Sequence, residues 1–98
     1  MFVVLVNYKK PLSEVDRFVP EHRAFLARHY EAGTFVVSGP QQPRTGGVII
    51  ARGCTRDALE ALIRDDPFHR EEIADYRIIE FLPNRSAPDL AHFLEPQA

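Results

Sequence analysis

The sequence predicts an α+β fold with the element order β-α-β-β-α-β and one four-stranded antiparallel sheet. Three observations carry this. Apolar runs of strand length, rich in Val and Ile, recur at residues 1–8, 34–38, 46–52 and 75–82. Stretches with helical spacing of apolar residues separate the first run from the second and the third from the fourth. Between the second and third runs lies only the polar loop Gln41–Thr45, which makes that pair a hairpin.

Each element follows from its own residues. Met1–Tyr8 is continuously apolar and reads as a strand buried on both faces, ended by Lys9-Lys10-Pro11. Ser13-Glu14-Val15-Asp16 has capping-box spacing, with Ser13 as the expected N-cap. Val15, Phe18, Val19, Phe25 and Leu26 then form a helical stripe that also contains His22 and His29. Pro20 interrupts it. A proline disfavours helical backbone at Val19 and suits the first turn of a new helix. The expectation is therefore a short turn at 13–18 and a main helix from Pro20 to Ala32, stopped by Gly33.

Thr34–Ser38 reads as the second strand, ended by Gly39-Pro40, and Gly46–Arg52 as the third, built on Val48-Ile49-Ile50. Thr55 caps a second helix with Leu59, Leu62 and Ile63 on its buried face and Asp57 and Glu60 in its early turns. Asp66-Pro67 ends it, Phe68–Ala74 makes another helical turn, and Asp75–Leu82 is the fourth strand. Pro83, Pro88 and Pro96 mark residues 84–98 as a tail on a domain spanning 1–83. Within the tail, Leu90-Ala91-His92-Phe93-Leu94 is apolar enough to require a docking surface, expected on a dimer.

Right-handed crossovers place both helices on one face of the sheet, the ferredoxin-like arrangement. The other face, carrying Val3, Leu5, Val37 and Ile49 or their alternates, would then be bare. A homodimer packed sheet against sheet is the simplest cover.

Bulk properties bound the function. A net charge of −2 gives no footprint for nucleic acid, and no cluster of Lys and Arg suits a membrane surface. The longest apolar runs are strand-sized, and the start lacks the pattern of a secretory signal. A lone Cys54 fits a reducing cytoplasm, and neither a helix N-terminus nor an adjoining base activates it as a nucleophile.

The histidines are the first candidates for chemistry. His22, close to the helix start that Pro20 would set, is either a packing histidine or a ring kept neutral by the helix dipole and able to accept a proton. His29 reads as rim, His69 as exposed, and His92 lies in the tail. No His or Cys pair has metal-ligand spacing, Gly46-Gly47 enters a strand rather than a phosphate loop, and Ser38 lacks a nucleophile motif.

Taken together, His22 early in the first helix, Gly33 at its end, Ser38-Gly39-Pro40, Gly46-Gly47 and Asp66-Pro67-Phe68 resemble the YciI-like (YCII-related) family over roughly residues 2–82. The resemblance implies a dimeric ferredoxin-like fold of the muconolactone isomerase type, and an active site built on His22 and Asp66. One relative is a dehydrochlorinase of a chlorinated hydroxyquinol. In this chain Pro67 would hold Asp66 in extended backbone, although Asp66 could equally be a plain cap of the Phe68 turn.

Two functions lead. One is a cofactor-independent enzyme using His22 and Asp66 for elimination, isomerisation or hydrolysis of a small organic molecule. Ser38 and Gly39 would hold an oxygen, and Tyr8 and Phe68 would give apolar contact. The other is a non-catalytic dimeric module that binds a small ligand or a protein, with His22 and Asp66 as a structural pair. A cofactor-free monooxygenase, as found among related barrels, is a third, but no residue singles it out. An open cleft at His22 would favour the enzyme, and a sealed, doubly bonded ring would oppose it.

Overall fold

In the computed structural model, which describes residues 1–95, four strands form one antiparallel sheet. They are β1 (Phe2–Tyr8), β2 (Phe35–Pro40), β3 (Gly46–Ala51) and β4 (Ala74–Glu80), in spatial order β2-β3-β1-β4. The helices are α1 (Leu12–Glu31), α2 (Arg56–Ile63) and the single turn α3 (Pro67–Arg70). The α+β, ferredoxin-like order expected from the sequence is therefore the observed one. Pro96 of the tail lies outside the described residues.

The core sits between the sheet and the helices. Phe2, Val4 and Val6 on β1, Ile49 and Ala51 on β3, and Phe35 on β2 meet Val15 and Phe25 of α1, Leu59 and Ile63 of α2, and Phe68 of α3. Ile49 thus faces the helices, and its neighbours Val48 and Ile50 point to the opposite face. There the register sets Val3 between Ile50 and Ile79, and Leu5 beside Val48.

Two local expectations are corrected. First, α1 is one unbroken helix with Pro20 inside it, and its N-cap is Pro11, not Ser13. The Pro11 carbonyl accepts the Glu14 and Val15 amides, so no side-chain cap is used. A mid-helix proline costs about 3 kcal/mol, chiefly through the hydrogen bond it cannot donate to the residue four before it. Here Pro20 and Asp16 both lie on the exposed side, where water can serve that carbonyl. Val15 and Phe25 are fully buried on either side of it, each worth about 1.5–3 kcal/mol. Tertiary packing therefore outweighs the local preference. His22 is consequently a mid-helix residue, outside the first turn where the helix dipole acts.

Second, Gly39-Pro40 continues β2 rather than ending it, pairing with Val48 and Gly47. β2 is an edge strand, the one place in a sheet where a proline without an N–H is tolerated. The extension keeps Gly39 and Pro40 in the sheet directly after Ser38.

Other signals act as read. Gly33 has φ +82° and closes α1 with two bonds, Gly33 N–H to Tyr30 O and Thr34 N–H to His29 O, a Schellman ending. Thr55 Oγ1 accepts the Ala58 amide at 3.1 Å and caps α2. At Gly46 a Cβ would stand 1.8 Å from the Val6 carbonyl oxygen, so glycine lets β3 start in close contact with β1. The tail folds back on its own chain: a 3-10 turn spans Pro88–Phe93, and Arg52 lies over the Phe93 ring at 4.8 Å. Glu95 reaches the Met1 amine at 2.9 Å. Among the described residues no helix is long and apolar enough to cross a membrane.

His29 is half-buried rather than a rim residue, its ring 4.8 Å from that of Phe25 and 5.1 Å from that of Phe35. Burial, aided by Arg28, lowers its pKa below the ordinary 6.5. The unfolded chain then binds this proton more readily than the folded one, so stability is complete above pH 6.5 and falls as the pH drops below it. Denaturation midpoints measured between pH 7 and 5 are expected to decline less in His29→Gln than in the native chain.

Candidate active site

Asp66 is the centre of the site. It lies between α2 and α3 with φ −70° and ψ 128°, the extended backbone expected before a proline, and its side chain is fully buried. Three donors converge on its carboxylate. Oδ1 accepts from His22 Nδ1 at 2.8 Å and from the Phe68 amide at 3.0 Å, and Oδ2 accepts from the Tyr76 hydroxyl. The oxygen that caps the α3 turn is also the oxygen that holds His22, so Asp66 is at once the cap of α3 and the partner of the histidine.

A carboxylate only accepts hydrogen bonds, so it requires the His22 proton to sit on Nδ1. In the neutral ring the lone pair is then on Nε2. Among the described residues Nε2 has no protein partner and is not sealed from solvent. The His22 side chain keeps 16% of its surface exposed, while Asp66 keeps none. Phe68 lies flat beneath the imidazole at 4.1 Å and 9°, which fixes the plane of the ring.

His22 opens into a cavity of about 410 Å³ between α1 and the β2–β3 end of the sheet. Tyr8, Ser38, Gly39 and Phe68 also line it, so the sequence-predicted residues share one site, with Asp66 just behind the wall. Tyr8 packs edge-on against Phe68 at 5.8 Å. Ser38 points to the helix side because it pairs with Ile49, and its hydroxyl bonds Tyr30 at the end of α1. Gly39 and Pro40 follow Ser38 along the cavity because β2 runs on to Pro40.

Sequence reasoning missed Tyr76, which falls inside the fourth strand expected at 75–82. Burial and the neighbouring Asp66 charge push its phenol far above the usual range, so it remains a proton donor to Oδ2. The signal was weak: alternation on β4 shows that Tyr76 faces inward but not what its hydroxyl meets. Missed too were Arg23, Arg44 and Asp16, all at the cavity wall. An ion pair between Arg70 of α3 and Glu21 of α1 ties the same two elements on the surface.

The remaining candidates lie elsewhere. His69 is exposed with its ring against Tyr76, and His92 lies beside Phe93 in the tail. Burial raises the Cys54 thiol pKa, which disfavours the thiolate. Among the described residues no group of three or more His, Cys, Asp or Glu side chains is arranged to hold a metal ion.

The carboxylate's control of the ring is measurable. In ¹⁵N NMR of the His22 imidazole, the native chain is expected to show one tautomer, protonated on Nδ1. Asp66→Asn should mix or invert the tautomers, because an amide can donate as well as accept. Tyr76→Phe should destabilise the fold by about 1–3 kcal/mol, the range for a buried polar group left unpaired. Its Nδ1–H should stay in place, and an unchanged tautomer in Asp66→Asn would refute the coupling.

Comparison with known proteins agrees with this architecture. No curated protein matches the chain. Among solved structures, it is similar to 5-chloro-2-hydroxyhydroquinone dehydrochlorinase from Burkholderia phenoliruptrix in complex with 2,5-dihydroxybenzoquinone. The similarity has a TM-score of 0.65 at 17% identity and covers 85% of this chain and 95% of that one, which establishes a shared fold. A family model, the YCII-related domain, matches residues 1–82, nearly all of the sheet-and-helix body and none of the 3-10 turn in the tail. The chain belongs to the YCII-related family.

Proposed function

We propose that the chain is a small acid–base enzyme acting without a cofactor on a small organic molecule, with His22 as proton acceptor and donor. The observation that carries this is the division of the imidazole: Nδ1 is tied to buried Asp66, while Nε2 has no partner among the described residues and the ring lines a cavity. Nε2 takes a proton from an acidic C–H or O–H of the substrate, and Asp66 stabilises the imidazolium that forms. In an elimination the electron pair of that bond becomes the new double bond, and the leaving group departs with its own pair. In an isomerisation Nε2 returns the proton at another atom. Tyr8 and Phe68 would give the apolar contacts, and Ser38 with the Gly39 backbone would hold a substrate oxygen, since all four line the cavity.

The dehydrochlorinase that shares the fold supplies the first substrate to test. Chloride release from 5-chloro-2-hydroxyhydroquinone, and isomerisation of a panel of activated phenols and lactones, would be followed for the native chain and His22→Gln. The expected loss in kcat/KM is about 10²–10⁴, the contribution of a positioned base. Equal rates in the two proteins, or no turnover by the native chain, would leave a ligand-binding module as the better account.

The working unit of this reading is a homodimer. On the sheet face away from the helices, Val37 is 57% and Ile79 39% exposed, beside Val3, Leu5, Val48 and Ile50. A patch of this kind is characteristic of an interface. The tail also exposes Leu90 and Leu94, which add apolar surface for a partner subunit. The lone, half-buried Cys54 suits a reducing cytoplasm. Sedimentation should give a dimer for the native chain and a monomer for Ile50→Lys, and a native monomer would refute the assembly.

A further inference from the structure

We propose that the cavity selects a substrate carrying one negative charge on an oxygen, and that Arg23 is the counter-ion that selects it. This deepens the acid–base reading by naming a substrate class, and it shares that reading's cavity.

The charges at the wall carry the inference. Three side chains there bear full charge: Asp16, Arg23 and Arg44. Arg44 reaches Asp16 at 2.6 Å, so these two neutralise one another. Arg23 makes no hydrogen bond or ion pair among the described residues. Of the side chains that line the cavity, one positive charge is left over, and the Asp66 charge behind the wall is already taken up by its three donors. A cation without a partner beside low-dielectric walls raises the local concentration of the opposite ion.

Helix geometry puts that charge beside the base. Val19, His22, Arg23 and Leu26 follow the spacing i, i+3, i+4, i+7, which is one face of α1, and all four line the cavity. The Arg23 stem can lie along Leu26 and Val19 while the guanidinium stays in water, as long basic side chains do. A guanidinium presents several N–H donors in a fixed fork that matches an anionic oxygen. Among the described residues Arg23 has no partner to lose, so occupying it breaks no ion pair seen there. The ligand this arrangement recognises is a small, largely apolar organic anion, a phenolate, enolate or carboxylate. Its charge would lie at Arg23 and its apolar body against Phe68 and Tyr8.

Benzoate and benzamide are nearly isosteric and differ in charge, so they serve as probes, followed by ¹H–¹⁵N NMR of the full chain. Benzoate is expected to shift cavity resonances at least tenfold more tightly than benzamide, with an affinity that falls as salt rises. Arg23→Gln should weaken benzoate about tenfold, the scale of a hydrogen bond to a charged group, and leave benzamide unchanged. Arg23→Lys should recover part of the loss. Asp16→Asn should act in the opposite direction, since it frees Arg44 and adds a second available cation. Arg23 is exposed, so its variants should fold, and the same spectra report it. Equal affinity for the two probes, no benzoate binding up to its solubility limit, or an Arg23→Gln variant that binds benzoate like the native chain would each overturn the proposal. Anion selectivity that persists in His22→Gln supports it even where turnover assays fail, which separates this inference from the catalytic reading.

Discussion

The structure depends on a carboxylate with no contact with water. An ionised group taken out of water costs several kcal/mol even after relaxation, and it is retained only where its neighbours satisfy it. Asp66 meets that condition with three donors from three places in the fold: the His22 ring of α1, the Phe68 amide of α3 and the Tyr76 hydroxyl of β4. Each donor in turn has Asp66 as its acceptor, so all four groups must be in place together. Apolar packing is non-directional, so by itself it constrains less tightly a rotation of α1 that would carry His22 away. The hydrogen bonds to Asp66 do not tolerate it. Apolar burial supplies the bulk of the cohesion, and the carboxylate specifies which face of α1 meets α3.

Two prolines show how differently one residue type acts according to what surrounds it. Pro67 stands at the first position of α3, where no N–H is needed, and it holds Asp66 extended with its oxygens turned back on the turn. Pro20 stands inside α1, where the same missing N–H costs a hydrogen bond, and the helix continues because the apolar residues on both sides of it are buried. Local sequence reasoning succeeds at Pro67 because the decisive interactions lie within two residues. It fails at Pro20 because the decisive interactions are with the sheet. For the same reason Gly33 and Thr55, whose partners are within five residues, were readable, and the strand residue Pro40, tolerated only at a sheet edge, was not.

The site was legible to the extent that topology and resemblance could bring distant residues together. His22 and Asp66 are 44 positions apart, and only the packing of α1 beside α3 makes them neighbours. Tyr76 could not be found in this way. Its inward direction follows from alternation on β4, but a tyrosine facing a core is satisfied by many acceptors, and only the register of β4 against β1 sets its hydroxyl at Asp66. Arg23 was hidden for a related reason. In sequence every arginine is an equal cation, and whether one is available depends on which others are already paired.

These features give the imidazole two unlike sides. Nδ1 faces a buried charge held by a fixed set of donors, and Nε2 faces an apolar space with a cation at its edge. A symmetric environment would leave both nitrogens equally able to hold the proton, and the ring would then have no defined role. Here the buried side fixes where the proton stays, so a proton exchanged with a ligand must pass through Nε2. The apolar walls strengthen this arrangement, because electrostatic interactions weaken less there than in water. A neutral ligand entering the cavity would use only the apolar walls. An anion would also engage the guanidinium of Arg23, and in doing so would place its acidic or leaving atom within the same helix face as Nε2. On the proposed reading the recognition of charge and the transfer of a proton share one turn of α1, and Asp66 fixes its orientation.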